Sequence, residues 1–579
     1  MFTLPRKLLK SFNAANKQRR LFNFHAMSDS ISLPPQHPGN ERRKRDFQGG
    51  RGSKRQRIQK EKPVKEGSSE EVLLADVRAL FAAQNITDNP PPEGENGSSD
   101  FIEASRELPT PFTEVDVKVL EISSTGDGLA QSSGSDQVYV VPFTAPGDVV
   151  RIKVIKHFAK ERYSLADFVR VIEPSALRDD SRIRCKYFSK CSGCQFQMLD
   201  YATQLKHKKT IVEKAYKNFS QLPLHLVPTI EDTMGSPLQY GYRTKLTPHF
   251  DGPPGYRSRT NKKAGTRKTF EEVPEIGFMQ KGQRKTLDIE DCPIGTDAVR
   301  MGMKSERRRV AAELAKYQRG ATILLRESTK RIPRIEGQNE PEEPSGTIVT
   351  STNSYTDFKT CITDNNATST EYVDSFTFTN PAGAFFQNNN SILPSFTQYI
   401  RERILPPAAD EAADIPKIKY LIDAYSGSGL FTITLASLFT SSTGIDISSA
   451  SIDFARKNAE LNSIPSSRAS FMAADAPELF KSVTYPANET VVVIDPPRKG
   501  CDESFLSQLL KFAPRRVAYV SCNVHTQARD VGVLVKGKDG VAYKIESLKG
   551  FDFFPQTGHV EGVAVLSRVD QVAQQSLDT

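Results

Sequence analysis

The C-terminal third of the chain alternates between continuous apolar runs and amphipathic segments, and this alternation constrains the fold more than any other feature. Apolar strands are predicted at YLIDAY, GIDI, VVVIDPP and RVAYVSC. Between them lie segments with helical periodicity, such as SASIDFARKNAELN. Strands that are apolar on both faces belong in a parallel sheet that helices cover on both sides. Residues 373–579 are therefore predicted to form an α/β domain with a doubly wound, Rossmann-like sheet.

Residues 111–174 show a different pattern, with short segments rich in β-branched residues. The segments VDVKVLEIS, VYVVPF, DVVRIKVIK and LADFVRVIE are separated by glycines and prolines that mark turns. Strands of this length and number predict a small β-barrel. The pattern resembles the OB-like TRAM domain of RNA-modifying enzymes. Barrels of this type bind nucleic acid through one strand face and its loops.

Residues 175–372 are predicted to form a central α+β domain that contains most of the cysteines. A β-rich part is expected at Tyr242–Phe278. The polar segment Ile332–Thr370 is predicted to be a surface insertion.

Residues 29–110 are predicted to be a disordered tail and linker. A basic Arg/Gly stretch at Arg42–Arg57 is followed by a Pro/Gly/Glu-rich linker from Pro90, a composition that cannot bury enough apolar surface to fold. An isolated helix is predicted at Val72–Ala83. The basic stretch fits an RNA contact, a nuclear address or a solvated tail, and these alternatives stay open.

The first 28 residues contain six Lys or Arg and no Asp or Glu. Apolar residues recur among them at helical spacing, as at Leu4, Leu8 and Phe12. This pattern fits a mitochondrial transit peptide over residues 1–28, with a disordered basic tail as the alternative. Because Met27 offers a second start, we expect localisation in the mitochondrion, in the nucleus or cytoplasm, or in both.

Charge and cysteine number limit the class of protein. The net charge of +9 favours an anionic partner. Seven cysteines, an odd number in a long chain, argue against a disulfide scaffold and favour thiols that act as ligands or nucleophiles. No apolar run approaches the roughly 18 residues that a membrane span needs, so no membrane partner is expected.

The first strand of the α/β domain ends in DAYSGSG, from Asp423 to Gly429, before a predicted helix. Glycines at this turn let the backbone approach a ligand at the carboxyl edge of the sheet. The second strand ends in Asp446, whose carboxylate can accept both ribose hydroxyls of an adenosine cofactor. Such a turn also serves NAD. Thr432, in place of the third glycine of G-x-G-x-x-G, and the further acid Asp475 favour S-adenosylmethionine instead.

Two more strand ends carry reactive side chains. Asp495 opens the sequence DPPRKG, whose prolines hold the carboxylate in a stiff, extended turn. Cys522 ends the next strand at the edge where the cofactor is expected, so we favour a functional thiol over a buried structural one. Near the C-terminus, His559 and Glu561 lie two residues apart on an extended segment, so both face the substrate or both face away.

These motifs resemble, in their order, the RNA 5-methyluridine methyltransferase family, and most of all its eukaryotic, fungal-type tRNA (uracil-5-)-methyltransferases. The motifs are FFQN (Phe385–Asn388), DAYSGSG, DPPRKG, VSCN and HVEGV, and with the TRAM-like barrel the resemblance covers residues 112–579. It implies a class I S-adenosylmethionine methyltransferase domain in which Cys522 is the nucleophile and Glu561 the proton acceptor. By the same resemblance, the cofactor-binding residues are Gln387, Tyr425, Gly427, Gly429, Asp446 and Asp495.

The expected chemistry accounts for these residue types. C5 of uracil is a poor nucleophile, and addition of a thiolate at C6 makes it reactive toward a sulfonium methyl group. A base must then remove the C5 proton so that the thiolate can leave. A free thiol has a pKa near ~8.5 and needs local help to ionise. Ser426 and Val524 replace residues common in the family, but neither change removes a chemical group.

A set of four cysteines predicts a metal site in the central domain. Cys185, Cys191 and Cys194 follow C-x5-C-x2-C spacing, and Cys292 lies in the sequence DCPI about a hundred residues later. Four thiolates suit zinc or an iron–sulfur cluster. The set is similar to that of the [4Fe-4S]-bearing branch of the same family, so we favour such a cluster, in a structural role, over free thiols. Two further cysteines are taken to be unpaired and incidental: Cys361 and Cys501.

The resemblance implies an RNA substrate, with a monomer acting on the T-loop uridine (uridine 54) of tRNA. Ribosomal RNA stays open, because the cysteine set resembles the branch that acts on rRNA. A cytosine-5 methyltransferase would use the same thiol addition. A non-catalytic RNA-binding protein is the last alternative, and the intact pair of Cys522 and Glu561 argues against it.

Overall fold

The computed structural model describes residues 64–84, 108–253, 269–335, 345–406, 416–474, 480 and 482–569. Some sequence predictions lie wholly or largely outside these residues: the transit-like segment 1–28, the basic stretch Arg42–Arg57, the linker from Pro90 and the acid Asp475. Among the described residues, no helix is both long enough and apolar enough to cross a membrane.

Five strands form a closed barrel in the order β1-β2-β3-β5-β4. Their bounds are β1 Glu114–Ile122, β2 Gly128–Gln131, β3 Val138–Val141, β4 Val149–Phe158 and β5 Tyr163–Glu173. Alternate side chains, among them Val119, Tyr139 and Ile152, fill the interior. Closure pairs every strand on both sides and leaves no open edge. The predicted OB-like barrel is therefore present.

One helix covers part of the barrel's outer surface. Helix α1 (Ser69–Ala83) begins after Ser68, whose Oγ accepts a hydrogen bond of 3.3 Å from the Glu71 N–H. Its apolar side, including Val77 and Phe81, packs against the outward side chains of β2 and β3. The predicted helix at Val72–Ala83 is confirmed, but it packs on the barrel and is not an isolated helix in a disordered tail. Strand β3 is buried on both faces, so its outward valines required a cover that local composition did not reveal.

Small antiparallel sheets follow the barrel. The first two elements after the barrel are α2 (Tyr201–Phe219) and β6 (Glu231–Met234). They pack with the C-terminal region, where β6 is an edge strand of the large sheet described below. The other elements are β7 Lys245–Leu246, β8 His249–Phe250, β9 Gly277–Met279, β10 Thr286–Asp288, α3 Asp297–Ala312, β11 Ala321–Thr322, β12 Leu325–Pro333, β13 Ile348–Ser351, β14 Tyr355–Ile362, β15 Thr368–Val373 and β16 Phe376–Pro381. They form the sheets β10-β9-β8-β11, β13-β14-β12-β7 and β15-β16.

The described residues of the segment Ile332–Thr370 contribute to two of these sheets, with β13 and β14 in one and the start of β15 in the other, and so do not form a separate surface insertion. Strand β14 pairs with β12 along its whole length and with β13 on its other side. Phe358 is buried, and the Arg331 guanidinium pairs with the Asp357 carboxylate at 2.7 Å. The segment is rich in threonine, which counts as polar in composition but favours strands because it is β-branched.

The C-terminal region forms an eight-stranded sheet in the order β19-β18-β17-β20-β21-β23-β22-β6. Its own elements are α4 Leu393–Arg403, β17 Tyr420–Ala424, α5 Leu430–Thr434, β18 Ser441–Asp446, α6 Ser449–Leu461, β19 Ala469–Ala473, β20 Thr490–Ile494, α7 Glu503–Phe512, β21 Arg516–Ser521, α8 Val524–Lys536, β22 Ala542–Phe551 and β23 Glu561–Val569. Apolar clusters cover both faces, as the apolar strands predicted.

Two features of this sheet were not predicted. Strand β23 runs antiparallel between β21 and β22, so the sheet is not wholly parallel. The edge strand β6 comes from residues assigned to the central domain, and α2 from the same region packs against α8. Because these contacts join segments about three hundred residues apart, local sequence patterns did not reveal them.

Candidate active site

The glycine turn after β17 has an unusual backbone conformation with open space beside it. Tyr425 has φ +64° and Gly427 has φ +54°, both in the left-handed region that costs a non-glycine residue energy. A Cβ placed on Gly427 would meet no atom of the described residues within 4 Å, so these residues leave free space beside this backbone. Gly429 (φ +92°) begins α5. The turn is fixed from behind by the buried Asp423, whose Oδ2 accepts hydrogen bonds from the N–H and Oγ1 of Thr432 (2.8 and 2.7 Å).

Asp446, at the end of β18, lies across from this turn. Its Oδ2 accepts a hydrogen bond from the Gly427 N–H (3.0 Å) and its Oδ1 accepts one from the Ser448 N–H (2.8 Å). A carboxylate has lone pairs left after two such bonds and can still accept from a ligand. Ile447, the next residue, is 73% exposed and adds an apolar surface beside the carboxylate. The sequence analysis gave Ile447 no role, although its position directly after Asp446 could have placed it at the site.

The loop that carries Gln387 is held by the antiparallel sheet of β7 and β12. Lys245 Nζ donates to the carbonyl oxygens of Gly383 and Ala384, both at 2.9 Å, just before this loop. Arg326 donates to the Asn388 side chain (3.1 Å). Gln387 itself is buried, whereas Phe385, two residues earlier, is 69% exposed. The loop therefore offers one polar buried side chain and one open aromatic ring.

The turn after β20 is tied to the start of α8. The carbonyl oxygen of Arg498 accepts hydrogen bonds from Asn523 Nδ2 (3.0 Å) and Thr526 Oγ1 (3.1 Å). These bonds hold the residues that follow Cys522 against the sequence DPPRKG. Burial and the negative charge of Asp423 raise the pKa of Asp495 to about 7.

Cys522 and Glu561 meet because β23 is antiparallel. Ser521 is paired with Gly562 in the register of β21 and β23. The first residue of β23 therefore lies at the sheet edge where the parallel strands end, next to Cys522. Glu561 is buried, and burial together with the charge of Asp495 raises its pKa well above the usual range. Burial and the charge of Glu561 raise the pKa of Cys522 to about 12.

Arg498 supplies the positive charge at this junction, and sequence reasoning gave it no role. Its positive charge near the Cys522 thiol opposes the rise in the pKa of that thiol. It also lowers the pKa of Glu561. Its Nε is buried and has no hydrogen-bond partner. A cation three residues after the acid of a rigid turn is the signal that could have identified it.

His559 lies beside Arg498, on the loop between β22 and β23. The Nδ1 atom of His559 is 3.3 Å from Nη2 of Arg498. His559 is exposed, whereas Glu561, two residues later, is buried at the sheet edge. Both therefore belong to the same cleft, although they differ in their access to solvent.

The four cysteines of the central region come near one another. All are free thiols. The charges of Cys194, Cys191 and Cys185 add to burial in raising the pKa of Cys292. Within the described ranges, however, no three His, Cys, Asp or Glu side chains are arranged to hold a metal ion. The structure thus brings the four thiols into one region without forming a ligand set. Cys361 and Cys501 are free as well.

The structure brings the predicted catalytic pair together at one sheet edge with Asp495. The glycine turn and Asp446 lie along the same edge, at the ends of the neighbouring strands β17 and β18. Open sheets of this kind bind their ligands outside the carboxyl ends of the strands. The cleft combines several acids with the cation Arg498, and therefore suits a cationic ligand next to the thiol.

Comparison with known proteins relates this site to characterised ones. A family model described as tRNA (Uracil-5-)-methyltransferase matches residues 370–569, and a TRAM domain model matches residues 110–169. A tRNA (uracil(54)-C(5))-methyltransferase of Schizosaccharomyces pombe is 44% identical over 88% of this chain and 85% of that protein. The protein of the same name from Saccharomyces cerevisiae is 41% identical over 86% of this chain and 78% of its own length.

A solved structure shares the fold. The tRNA (uracil-54, C5)-methyltransferase of Pyrococcus abyssi, in complex with S-adenosyl-L-homocysteine, superposes with a TM-score of 0.51 at 24% identity. The match covers 78% of this chain and all of that one. The predicted arrangement of a TRAM barrel followed by a Rossmann-like methyltransferase domain is confirmed.

Proposed function

The chain belongs to the tRNA (uracil-5-)-methyltransferase family, and on this basis we propose that it transfers a methyl group from S-adenosylmethionine to C5 of uridine 54 in tRNA. The two fungal relatives are named for this activity. The observation that carries the proposal is the junction of Cys522, Arg498 and Glu561 at one sheet edge, beside a glycine turn that opens onto free space.

In this reaction Cys522 is the nucleophile. Its thiolate forms a bond to C6 of the target uracil, and the π electrons of the C5–C6 bond move toward the C4 carbonyl, which makes C5 nucleophilic. The thiol is protonated in the resting protein because burial and Glu561 raise its pKa. Arg498 opposes this shift, so it stabilises the thiolate. The target base must leave its stack to reach the thiol.

Glu561 is the proton acceptor. After C5 has taken the methyl group, its remaining proton passes to the Glu561 carboxylate and the bond between Cys522 and C6 breaks. The raised pKa of Glu561 makes it a stronger base than an exposed carboxylate. Arg498, close to both groups, favours the ionised form that accepts the proton.

The proposed cofactor site lies at the same edge of the sheet. S-adenosylmethionine supplies an electrophilic methyl group on a positively charged sulfur. The free space at Gly427, the tight start of α5 at Gly429 and the acceptors of Asp446 fit a nucleoside with two ribose hydroxyls. The residues proposed to bind it are Gln387, Tyr425, Gly427, Gly429, Asp446 and Asp495.

The RNA partner is proposed to meet the barrel at its loops. Helix α1 covers the outer face of β2 and β3, so that face is closed to RNA. The loop between β1 and β2 lies at the cleft: Gly126 packs so closely on Gly558 that a Cβ on Gly558 would be 3.1 Å from the Gly126 Cα. Gly558 directly precedes His559. RNA held by this loop edge would therefore reach the thiol, and a monomer suffices for this arrangement.

We keep the [4Fe-4S] cluster as a hypothesis for Cys185, Cys191, Cys194 and Cys292. Its support is the spacing of the cysteines and their proximity. As placed, the side chains do not form a ligand set, and no step of the reaction is routed through a cluster. Iron and sulfide analysis of anaerobically purified protein tests the hypothesis, and less than one iron per chain would reject it.

We propose two locations for the enzyme, with the Met1 start directing it to mitochondria and the Met27 start to the nucleus or cytoplasm. The transit-like residues 1–28 and the basic stretch at Arg42–Arg57 motivate this proposal. N-terminal sequencing of the protein from separated organelles tests it. A single N-terminus in every fraction would contradict it.

One assay separates the proposed activity from its rivals. Purified protein is incubated with S-adenosylmethionine and either an unmodified tRNA transcript or an rRNA fragment, and the nucleosides are analysed by mass spectrometry. We expect 5-methyluridine at position 54 of the tRNA and none with the Cys522→Ala variant. Methylated rRNA alone would favour the rRNA alternative, 5-methylcytidine a cytosine-5 enzyme, and no product a binding protein.

A further inference from the structure

His559 has one ring nitrogen engaged and one free. Its Nδ1 is 3.3 Å from Nη2 of Arg498. A guanidinium can only donate, so Nδ1 must accept and cannot carry a proton. A neutral imidazole with an unprotonated Nδ1 holds its proton on Nε2. The contact with Arg498 therefore fixes the tautomer and makes Nε2–H a donor.

The surroundings of His559 keep the ring neutral. The surrounding protein desolvates the ring, although the side chain reaches solvent, and this desolvation together with the positive charges of Arg498, Lys208 and Arg243 lowers the pKa of His559 to about 3. The ring also lies edge-on to Phe554, with 5.8 Å between centroids, which limits its rotation. In the part of the chain that the structure describes, Nε2–H has no acceptor.

Arg498, which lies beside this donor, also acts on two acceptor groups of the cleft. Its charge opposes the rise in the pKa of both the Cys522 thiol and the Glu561 carboxyl. Nε2–H of His559 and the buried Nε–H of Arg498 have no acceptor among the described residues. The buried Nε–H of Arg498 is costly to leave without a partner, and the Nε2–H of His559, which reaches solvent, is open to a bound molecule. Together they indicate a ligand with an acceptor atom beside the thiol.

We propose that Nε2–H of His559 donates a hydrogen bond to O4 of the target uracil; this inference rests on the proposed function. When the thiolate bonds to C6, the C5–C6 π electrons shift so that negative charge develops on O4. A preorganised donor at that atom stabilises the transition state. His559 is two residues from Glu561, and O4 is bonded to the carbon next to C5, where Glu561 acts. The assignment to O4 follows from this order of residues along the loop.

The same hydrogen bond separates uracil from cytosine. Cytosine has an amino group where uracil has O4, so two donors would face each other and neither would be satisfied. Sites that hydrogen-bond a substrate atom reject analogues lacking it more strongly than apolar pockets do. His559 is thus both a catalytic residue and a determinant of base specificity.

The test pairs an atom change in the RNA with a residue change in the protein. Full-length enzyme and its His559→Ala variant are assayed on three tRNAs that carry uridine, 4-thiouridine or 2-thiouridine at position 54. Sulfur accepts hydrogen bonds weakly, and its intrinsic effect on ring reactivity is the same for both proteins. The difference between the proteins therefore isolates the contact. His225→Ala, which changes another exposed histidine, is the matched control.

We expect 4-thiouridine to lower kcat/KM at least about 10-fold more in the unsubstituted enzyme than in His559→Ala, as for loss of a transition-state donor. The 2-thiouridine penalty should be equal in both, and His559→Gln, which keeps an N–H donor, should regain part of the 4-thio penalty. Equal 4-thio penalties, or a difference confined to 2-thiouridine, would overturn the assignment to O4. If the unsubstituted enzyme methylates none of the three RNAs, the proposed function fails first. Melting temperatures identify a variant that has merely unfolded.

Discussion

Cys522 in the catalytic cleft and the four cysteines of the central region are all thiols whose pKa the protein raises, yet their neighbours differ. Burial raises the pKa of Cys194 to about 12, the same value as for Cys522. Around Cys194 the main charged neighbours are other thiols. Around Cys522 they are two carboxylates and the guanidinium of Arg498.

The difference shows that burial alone does not distinguish the proposed nucleophile Cys522 from the central cysteines. Reactivity needs a cation that stabilises the thiolate and a base that ends the reaction, and in the described chain the cleft provides both. The two regions are nevertheless in contact. Gln195, next to Cys194, donates from Nε2 to the Thr125 carbonyl (2.9 Å) and accepts from the Gly558 N–H (3.0 Å), on the loop leading to His559.

The largest effect is expected from Cys522→Ala. Without a thiolate no bond to C6 forms, so methylation should fall by at least about 10⁴-fold while the melting temperature stays close to that of the unsubstituted protein. Methyl transfer to a tRNA transcript and differential scanning fluorimetry measure the two quantities. Cys361→Ala, at another partly buried thiol, is the control and should retain activity. Residual methylation by Cys522→Ala above about one per cent of the unsubstituted rate would contradict the role of Cys522 as nucleophile, on which its contrast with the central cysteines depends.

Glu561→Gln should stop the reaction after the bond to Cys522 has formed. The amide cannot accept the C5 proton, so methylated RNA stays attached, and turnover should fall at least about 10³-fold. A denaturation-resistant RNA–protein band on a gel measures the adduct. The double variant Cys522→Ala/Glu561→Gln is the control and should give none. Absence of the band with Glu561→Gln alone would show that Glu561 acts at another step.

Removing the cation should make Cys522 resemble the central thiols. Arg498→Gln raises the pKa of Cys522 further, so the alkaline rise in kcat/KM should move to higher pH and activity near neutrality should fall about 10²-fold. The pH profile of kcat/KM measures this shift. Lys511→Ala, an exposed cation on α7, is the control. An unchanged profile would mean that Arg498 does not support the thiolate.

Sequence patterns predicted the components of the cleft better than they predicted its geometry. Cys522, Asp495 and Asp446 could be placed because parallel strands end at one edge, whatever else surrounds them. The contact of Glu561 with Cys522 depends on β23 being antiparallel, which no local pattern shows. Arg498 was missed because its role comes from two groups distant in sequence.

The same limit applies to the fold outside the cleft. The barrel was predictable from alternation and turns. Its cover by α1, the strand β6 contributed to the catalytic sheet and the sheet around β14 all depend on long-range pairing. Local composition described α1 as part of a polar tail and β14 as part of a polar insertion. Their ordered structure depends on tertiary packing, which local composition does not show.

A smaller effect is expected from Cys292→Ser, which tests whether the two thiol regions are independent. In the absence of a cluster, replacing one partly buried thiol should cost about 1–2 kcal/mol of unfolding free energy and leave kcat/KM of the folded enzyme within about 3-fold. Denaturant unfolding and initial rates measure the two. The control is Cys501→Ser, which changes a thiol that is not one of the four central cysteines. If Cys292→Ser loses activity as well as stability, and Cys501→Ser does not, the two thiol regions are coupled through Gln195.

The smallest effect extends the comparison to a buried acid that takes no part in the reaction. Burial raises the pKa of Asp423 to about 7, so the folded protein binds a proton there that the unfolded chain, with a pKa of 3.8, releases. Stability from this group is therefore full below about pH 4 and is lost as the pH rises through about 7. Asp423→Asn keeps an acceptor for Thr432 but cannot ionise. Between pH 5 and pH 8, the melting temperature of this variant should fall less than that of the unsubstituted protein. The two falls should differ by about a few degrees. If the two melting curves shift equally with pH, Asp423 is ionised in the folded protein, and burial alone does not set the pKa in this sheet.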